Sequence, residues 1–355
     1  MKKELPKFGK VSADIFDRVI LPQLGKKRQS VLVGPQHGID VGVVELAGDQ
    51  VMVLTTDPLF VMPSLGWERA AWFAIHIIAS DAATSALPPQ YLSIDLNLPL
   101  SLQSDDLKAL WQEIHKSCKE IGLAVVTGHT GRYEGCAFPT IGAATIISTG
   151  HRSAYITPAM ADAGDQIIIT KGAAIETAGM LAVCCEKNIA KTFGKKFAEK
   201  AKSIFWQMSV VKDAAIAAET GVRDNGVTAM HDATECGVWG ALVEIAEAAK
   251  CGILVHKDDI PLPEKIGKIC RRFGINPYIS SSEGTLVIAC RPHKTSEALR
   301  RLSDAGIPAA VVGELLDAKA GNYYFEHQVK YPLEHPVNDP FWPALQRAMR
   351  EEDKY

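Results

Sequence analysis

The sequence predicts an α/β (α+β) protein of two domains, and three observations carry that prediction. The chain has 355 residues, 47% of them hydrophobic and 22% charged, beyond the size at which one hydrophobic core stops growing. Its first part reads as short β-branched strands around one strongly apolar helix, and its second part alternates strands with helices. Between them, His151 to Ala163 collects polar, proline and small residues between two strand signals. That stretch divides the chain into an N-terminal domain, 1–155, and a C-terminal α/β domain with a tail, 156–355.

Taken in order, Val31-Leu32-Val33 and Val51 to Thr56 are strand-like runs, separated by a loop, strand and turn that contain Gly38, Gly42, Gly48 and Asp49. From Trp67 to Ala86, apolar residues recur at helical spacing (Ala71, Ile75, Ile78, Ala79, Ala82) between Gly66 and Leu87-Pro88-Pro89. A helix apolar over so much of its surface is predicted to be buried. A strand over Tyr91 to Leu98 follows, then an amphipathic helix over Asp105 to Ile121 with Ser104 as its N-cap, then strands over Ala124 to Thr127 and Thr140 to Ser148. The second half opens with Ala163-Gly164-Asp165 and a buried strand, Gln166 to Thr170, and continues into a long helical stretch around Lys187 to Ala218. Strands at Val227 to Met230, Ile253 to His256, Thr285 to Cys290 and Ala309 to Val312 then alternate with helices at Val238 to Ala249, Pro263 to Phe273 and Ser296 to Ala305.

The formal net charge of −3 comes from 41 acidic and 38 basic residues with no long block of either sign. No footprint for nucleic acid or an anionic membrane is present, and a small molecule or a protein is the expected partner. The N-terminus lacks an apolar stretch, and the apolar runs elsewhere fall short of the roughly 18 residues of a spanning helix, so a cytoplasmic location is expected. The eight cysteines include no Cys-x-x-Cys pair, which points away from a zinc site or a disulfide framework.

Carboxylates carry the chemistry. Asp40, Asp57 and Asp232 stand at strand ends or beside glycine, and Asp81 lies inside the apolar helix, where an unpartnered carboxylate has a large desolvation cost. Each has a plain reading: Asp57 before Pro58 as a turn residue, Asp232 with Thr234 as a helix cap. Four together, with no compensating basic cluster, fit a magnesium site, because magnesium takes oxygen ligands and bridges phosphates. Thr127-Gly128-His129-Thr130-Gly131 follows a strand and offers backbone N–H groups and two hydroxyls to phosphate. His129 is a proton carrier or a loop brace. Neither a P-loop nor a dinucleotide fingerprint is present.

In order, these motifs resemble the aminoimidazole ribonucleotide synthetase superfamily, and within it the hydrogenase-maturation carbamoyl dehydratase branch, over roughly residues 9 to 315. Gly9-Lys10-Val11 resembles the branch's opening Gly-Lys segment. Gly38-Ile39-Asp40-Val41-Gly42-Val43 resembles its nucleotide and metal motif, with Ile39 where a second acid is usual. Thr56-Asp57-Pro58 matches Thr-Asp-Pro, and Ser80-Asp81 through Pro88 resembles the Asn-Asp helix with serine for asparagine. Gly128-His129-Thr130 resembles the phosphate loop and Ile175-Glu176-Thr177-Ala178 an Ile-Glu-Gly-Thr turn. Met230-His231-Asp232-Ala233-Thr234-Glu235-Cys236-Gly237 is similar to Asp-x-Thr-x-Gly-Gly and is followed by Ala241 to Ala246. Ile260-Pro261, Pro277, Ser282-Glu283-Gly284-Thr285-Leu286 and Val312-Gly313-Glu314 fall in the expected order.

The resemblance implies an N-terminal domain that builds a barrel across a homodimer, with ATP and Mg2+ in the cleft. It implies metal binding by Asp40, Asp57, Asp81 and Asp232, cofactor contacts from Lys10, Asp40, Asp57, Gly128, Thr130 and Glu176, and catalytic roles for Asp81, His129 and Asp232. The implied chemistry phosphorylates an amide, acid or phosphate-type substrate, free or protein-bound; a nucleotide-binding maturation factor that docks a partner protein is the alternative. The branch acts on a C-terminal cysteine, whereas the last cysteine here is Cys290, within a predicted strand. Cys236 replaces a motif glycine near a helix start, where a thiolate is favoured or where a small residue is tolerated in a tight turn.

Overall fold

The structure, a computed structural model, describes residues 10–352; Gly9 of the opening Gly-Lys pair lies outside them. After one turn, α1 (Ala13–Ile15), a six-stranded sheet forms from β1 (Val31–Val33), β2 (Gly42–Glu45), β3 (Gln50–Phe60), β4 (Tyr91–Leu98), β5 (Ala124–Arg132) and β6 (Thr140–His151). Its order is β1-β2-β3-β6-β4-β5. Alternate residues of β3, Val51, Val53, Thr55 and Leu59, are buried, as the two-residue period of a strand requires when one face is covered. Leu59 is covered in the cluster built by α2 (Trp67–Ala83) and α3 (Ser104–Glu120), whereas Val51 and Val53 pack with Val41, Val43, Leu87 and Tyr155. β5 is an edge strand exposed along nearly its whole length, with Val125 41% and Val126 55% exposed.

A seven-stranded mixed sheet follows, in the order β13-β12-β9-β11-β7-β10-β8. It is built from β7 (Gln166–Thr170), β8 (Val227–Asp232), β9 (Gly252–His256), β10 (Leu286–Cys290), β11 (Ala309–Leu316), β12 (Asn322–Glu326) and β13 (Val329–Pro332). Every residue of β8 and β10 is buried, because helices pack on both faces. Chain order adds α4 (Ile175–Cys184), α5 (Glu186–Phe193), α6 (Lys195–Ala201), α7 (Val211–Ala218), α8 (Gly237–Ala249), α9 (Glu264–Phe273), α10 (Pro292–Asp304) and α11 (Phe341–Glu352). One face packs on α8 through Val238, Leu242 and Ile245; the other packs on α7 and α10 through Ala214, Ala217, Ala298 and Leu302.

The two sheets meet along α2. Trp72 and Phe73 pack on Phe205 with ring centroids 6.0 and 6.1 Å apart, and Val210 N donates to Ser80 Oγ at 3.1 Å. The helix therefore has no polar face to present, in keeping with its sequence.

Several elements differ from their sequence reading. The long helix expected over 187–218 is broken into α5, α6, a short tight turn and α7: Gly194 sits at φ +90 between the first two, and Ser209 turns the chain ahead of α7. Ile175-Glu176-Thr177, read as a turn, opens α4. Ser104 is the first residue of α3 rather than its cap, which is Gln103. Asp57 stands inside β3, which runs on to Phe60. The Gly128-His129-Thr130 segment is not a loop: parallel pairing with β4, Asp95 opposite His129, carries β5 on to Arg132. The tail folds as well, as the β12-β13 hairpin and α11, whose Glu352 carboxylate caps α5 at Lys187 N and Asn188 N. No helix among the described residues is long and apolar enough to cross a membrane.

Candidate active site

Four local structures aim carboxylates at one place. Asp57 lies on the same side of β3 as Thr55 and Leu59, the side that faces α2. Asp81 is in the last turn of α2, and Thr55 Oγ1 donates to its Oδ2 at 3.3 Å. Asp232 ends β8. Asp40 precedes β2 in a segment pressed on α8: Gly38 has φ +67, and a Cβ there would lie 2.6 Å from the Glu244 carbonyl oxygen. Only glycine fits so close an approach.

These groups feel one another. Asp81 is pushed well above the ordinary carboxylate range by burial and then by the charges of Asp232, Asp40 and Asp57. Burial and Asp40 push Asp232 up to about 7. Burial pushes Asp57 up to about 6, with Lys10 pulling against it. Asp232 is 1% exposed, and neither of its carboxylate oxygens has a hydrogen-bond partner among the described residues. A buried group left in that state is the exception in folded proteins and calls for a ligand.

Two cations answer the acids. Lys10 is exposed as a residue, but its ammonium lies among carboxylates; burial opposes its charge, yet Asp40, Glu244, Asp81 and Glu235 hold its pKa above the ordinary value. His231, 4% exposed, places Nδ1 2.7 Å from Asp40 Oδ2 and Nε2 2.9 Å from Glu244 Oε2. Carboxylates on both nitrogens leave the ring as an imidazolium that donates twice; burial works against that charge and the two acids outweigh it. Glu244 is held below its usual range because hydrogen bonds from His231 and His335 outweigh its burial.

The acid row continues through Glu283, 2% exposed with an unpartnered Oε2 and raised by burial and by Asp232. Its N–H donates to Glu176 Oε2 at 3.2 Å, and burial pushes Glu176 up to about 8. Glu176 thus joins the cluster through Glu283. Gly128, His129 and Thr130 do not join it within one chain: β6 and β4 lie between β5 and β3. His129 Nε2 is 2.6 Å from the Tyr133 hydroxyl, a bracing contact. A Cβ on Gly128 would lie 2.2 Å from the Ile94 carbonyl oxygen, so the close pairing of β5 with β4 demands that glycine.

Sequence reasoning missed His231, Glu244, Glu283 and Thr55 as site residues. All four lie within or beside motifs it quoted, but nothing in a single sequence marks a histidine as the bridge between two acids. For Cys236 the sequence leaves two readings, a thiolate near a helix start and a small residue in a tight turn. The residue is 9% exposed at φ +64, and burial, followed by Asp339 and Glu235, pushes its thiol up to about 12, so the helix start does not yield a thiolate. The small-residue reading of this turn stands.

The chain matches the family models of the AIR synthase related protein, N-terminal domain, over residues 38–147 and C-terminal domain over residues 162–325. A Methanocaldococcus jannaschii protein named for hydrogenase expression/formation is 26% identical over 336 residues, 94% of this chain and 96% of that one. The carbamoyl dehydratase HypE of Escherichia coli is 26% identical over 319 residues, 86% of this chain and 88% of that one. A crystal structure of E. coli HypE superposes with a TM-score of 0.67, covering 83% of this chain and 88% of that one. A hydrogenase maturation protein HypE in complex with ATP superposes at 0.61, with 18% identity and 92% of each chain covered.

Proposed function

The chain belongs to the AIR synthase related family, and from that premise we propose that it is a Mg-ATP-dependent enzyme that activates an amide, acid or phosphate-type substrate through a phosphorylated intermediate. The observation that carries the proposal is the Asp232 carboxylate, buried with both oxygens unpartnered beside Asp40 and Asp81. A partner-docking role would need no such group. The HypE fold shared with an ATP complex supports the nucleotide.

The donors fit magnesium. Asp40 and Asp232 offer oxygens within 4.8 Å of each other, Asp57 and Asp81 add more, and His231, although within the same distance, has both nitrogens committed to acids. The set is hard and oxygen-rich, as magnesium requires. When bound, the ion would neutralise triphosphate oxygens and align the transferred phosphoryl group.

The residues of the chain do the rest. Asp40 and Asp232, with Asp57 and Asp81, would hold the cation, His231 fixes the Asp40 carboxylate, and Lys10 adds a positive charge that would stabilise transferring phosphate oxygens. Burial around Asp81 and Asp232 excludes water that would compete with the substrate. The exposed apolar residues and free edge of β5 support a homodimer, in which a partner's Gly128, His129 and Thr130 would approach the acids that they do not reach within one chain. We read the two functional units as 1–155 and 156–355. The test is phosphate release from Mg-ATP by purified protein, screened with amides and amino acids; no release and no nucleotide binding would overturn the proposal.

A further inference from the structure

The segment between β13 and α11 lies beyond the two family models, which end at residue 325, yet it touches the acid site at two points. His335 Nδ1 is 2.9 Å from the Pro336 carbonyl oxygen, which makes it a donor there, and His335 Nε2 stands 3.4 Å from Glu244 Oε1. The other oxygen of Glu244 takes the His231 Nε2 proton at 2.9 Å, and His231 Nδ1 donates to Asp40 at 2.7 Å. Four side chains thus form one line from the C-terminal segment to a metal-binding carboxylate. At the second point, Asp339 Oδ2 accepts from Cys236 N at 2.9 Å and from Ser281 Oγ at 2.7 Å, while its Oδ1 accepts from Phe341 N at 2.8 Å. Cys236 is four residues past Asp232 on the same turn.

Packing shows that the segment is seated against α8. A Cβ at Gly240 would lie 3.4 Å from His335 Nε2 and 2.9 Å from the Cys236 Cβ, so the imidazole lies on the glycine surface of α8, one turn before Glu244. Glu244 is one-third exposed, and without His335 its outer oxygen would lose the imidazole placed 3.4 Å from it. A long side chain held at one end rather than both samples more rotamers, and His231 would follow it.

We propose that residues 333–340 are a working part of the acid site, with His335 a positioning residue that fixes Asp40 through Glu244 and His231, and Asp339 a clasp that holds the turn carrying Asp232. The inference rests on the metal and nucleotide reading above. Outer-shell groups that orient a ligand typically change metal affinity about 10- to 100-fold when removed. His335 is two side chains removed from Asp40, so the low end of that range applies.

The test measures ATP turnover by the full chain against Mg2+ concentration in wild type, His335→Ala and His335→Gln, with the melting temperature of each ligand-free protein. His335→Ala is expected to raise the Mg2+ concentration for half-maximal rate about 10-fold. His335→Gln, which keeps an N–H donor toward Glu244, should return it to within about threefold of wild type. A fall in melting temperature with unchanged Mg2+ dependence would make His335 merely structural and overturn the inference; so would failure of glutamine to rescue. Wild type that neither turns over nor binds Mg-ATP would instead overturn the underlying nucleotide reading, and this inference with it.

Discussion

Replacing Asp232 with asparagine should stabilise the ligand-free protein at alkaline pH while removing its response to magnesium. Asp232 is held at about 7 in the fold, against 3.8 for an unperturbed aspartate, by burial and by Asp40. A carboxyl whose folded pKa is raised works against folding wherever the unfolded chain ionises first. The penalty is absent below about pH 4, grows between about pH 4 and pH 7, and is complete above that. The difference between 3.8 and about 7 corresponds to about 4 kcal/mol at pH 8. Asparagine cannot ionise, keeps the shape, and can donate from its amide to the carboxylates beside it. Ligand-free Asp232→Asn should therefore melt several degrees above wild type at pH 8, with the gap closing toward pH 4. Added Mg2+ should raise the melting temperature of wild type and leave the variant unmoved. A variant that melts below wild type at pH 8, or a gap that does not depend on pH, would refute the reasoning, because it would mean that Asp232 has partners of its own in the fold.

Asp57→Asn and Asp81→Asn should each reduce Mg-dependent ATP turnover to about 1% or less of wild type, as expected when a group stabilising transition-state charge is lost, while sedimentation shows an unchanged oligomer; near-normal turnover with unchanged magnesium affinity in both would remove the site drawn here. Sedimentation at micromolar concentration should give a homodimer, since a monomer would leave Val125, Val126 and the β5 edge in water. Cys236, with its thiol near 12 and 9% exposed, should resist iodoacetamide at pH 8 in the native protein at least about 100-fold better than in denaturant; equal rates would show that the turn opens readily.

The acids were legible because carboxylates in apolar company are conspicuous in a sequence. Asp81 inside an apolar helix carries a desolvation problem visible in the sequence itself, and Asp57 stands out at the end of a β-branched run. What solves that problem was not legible. His231 and Lys10 are far apart in the sequence, and a lone histidine before an aspartate looks the same whether it braces a turn or bridges two acids 191 and 13 residues away. The helix α2 was recognisable by its apolar surface, yet the partners that bury it, Phe205 and Trp206, sit in a stretch whose helical period hid three breaks. Gly128 suggests a phosphate loop by composition, whereas it stands in a strand where the close approach of the Ile94 carbonyl oxygen demands glycine.

The same physics explains why the C-terminal segment escaped notice. Between Leu333 and Phe341 it has no period of either kind, and its polar residues, Glu334, His335, Asn338 and Asp339, read as solvent-facing loop. Only tertiary distances reveal that His335 pairs with Glu244 of α8 and that Asp339 accepts hydrogen bonds from the turn before it. A cluster of like charges cannot hold its own geometry, because repulsion drives each carboxylate toward whatever rotamer separates it from its neighbours. Orientation has to come from donors outside the cluster. Among the described residues those donors are Thr55 for Asp81, His231 for Asp40, and none for Asp232, whose turn is clasped by Asp339 instead. The acid with no donor is the one that a cation must satisfy, and it sits on a strand buried along its whole length, where neither solvent nor a rotamer change offers relief.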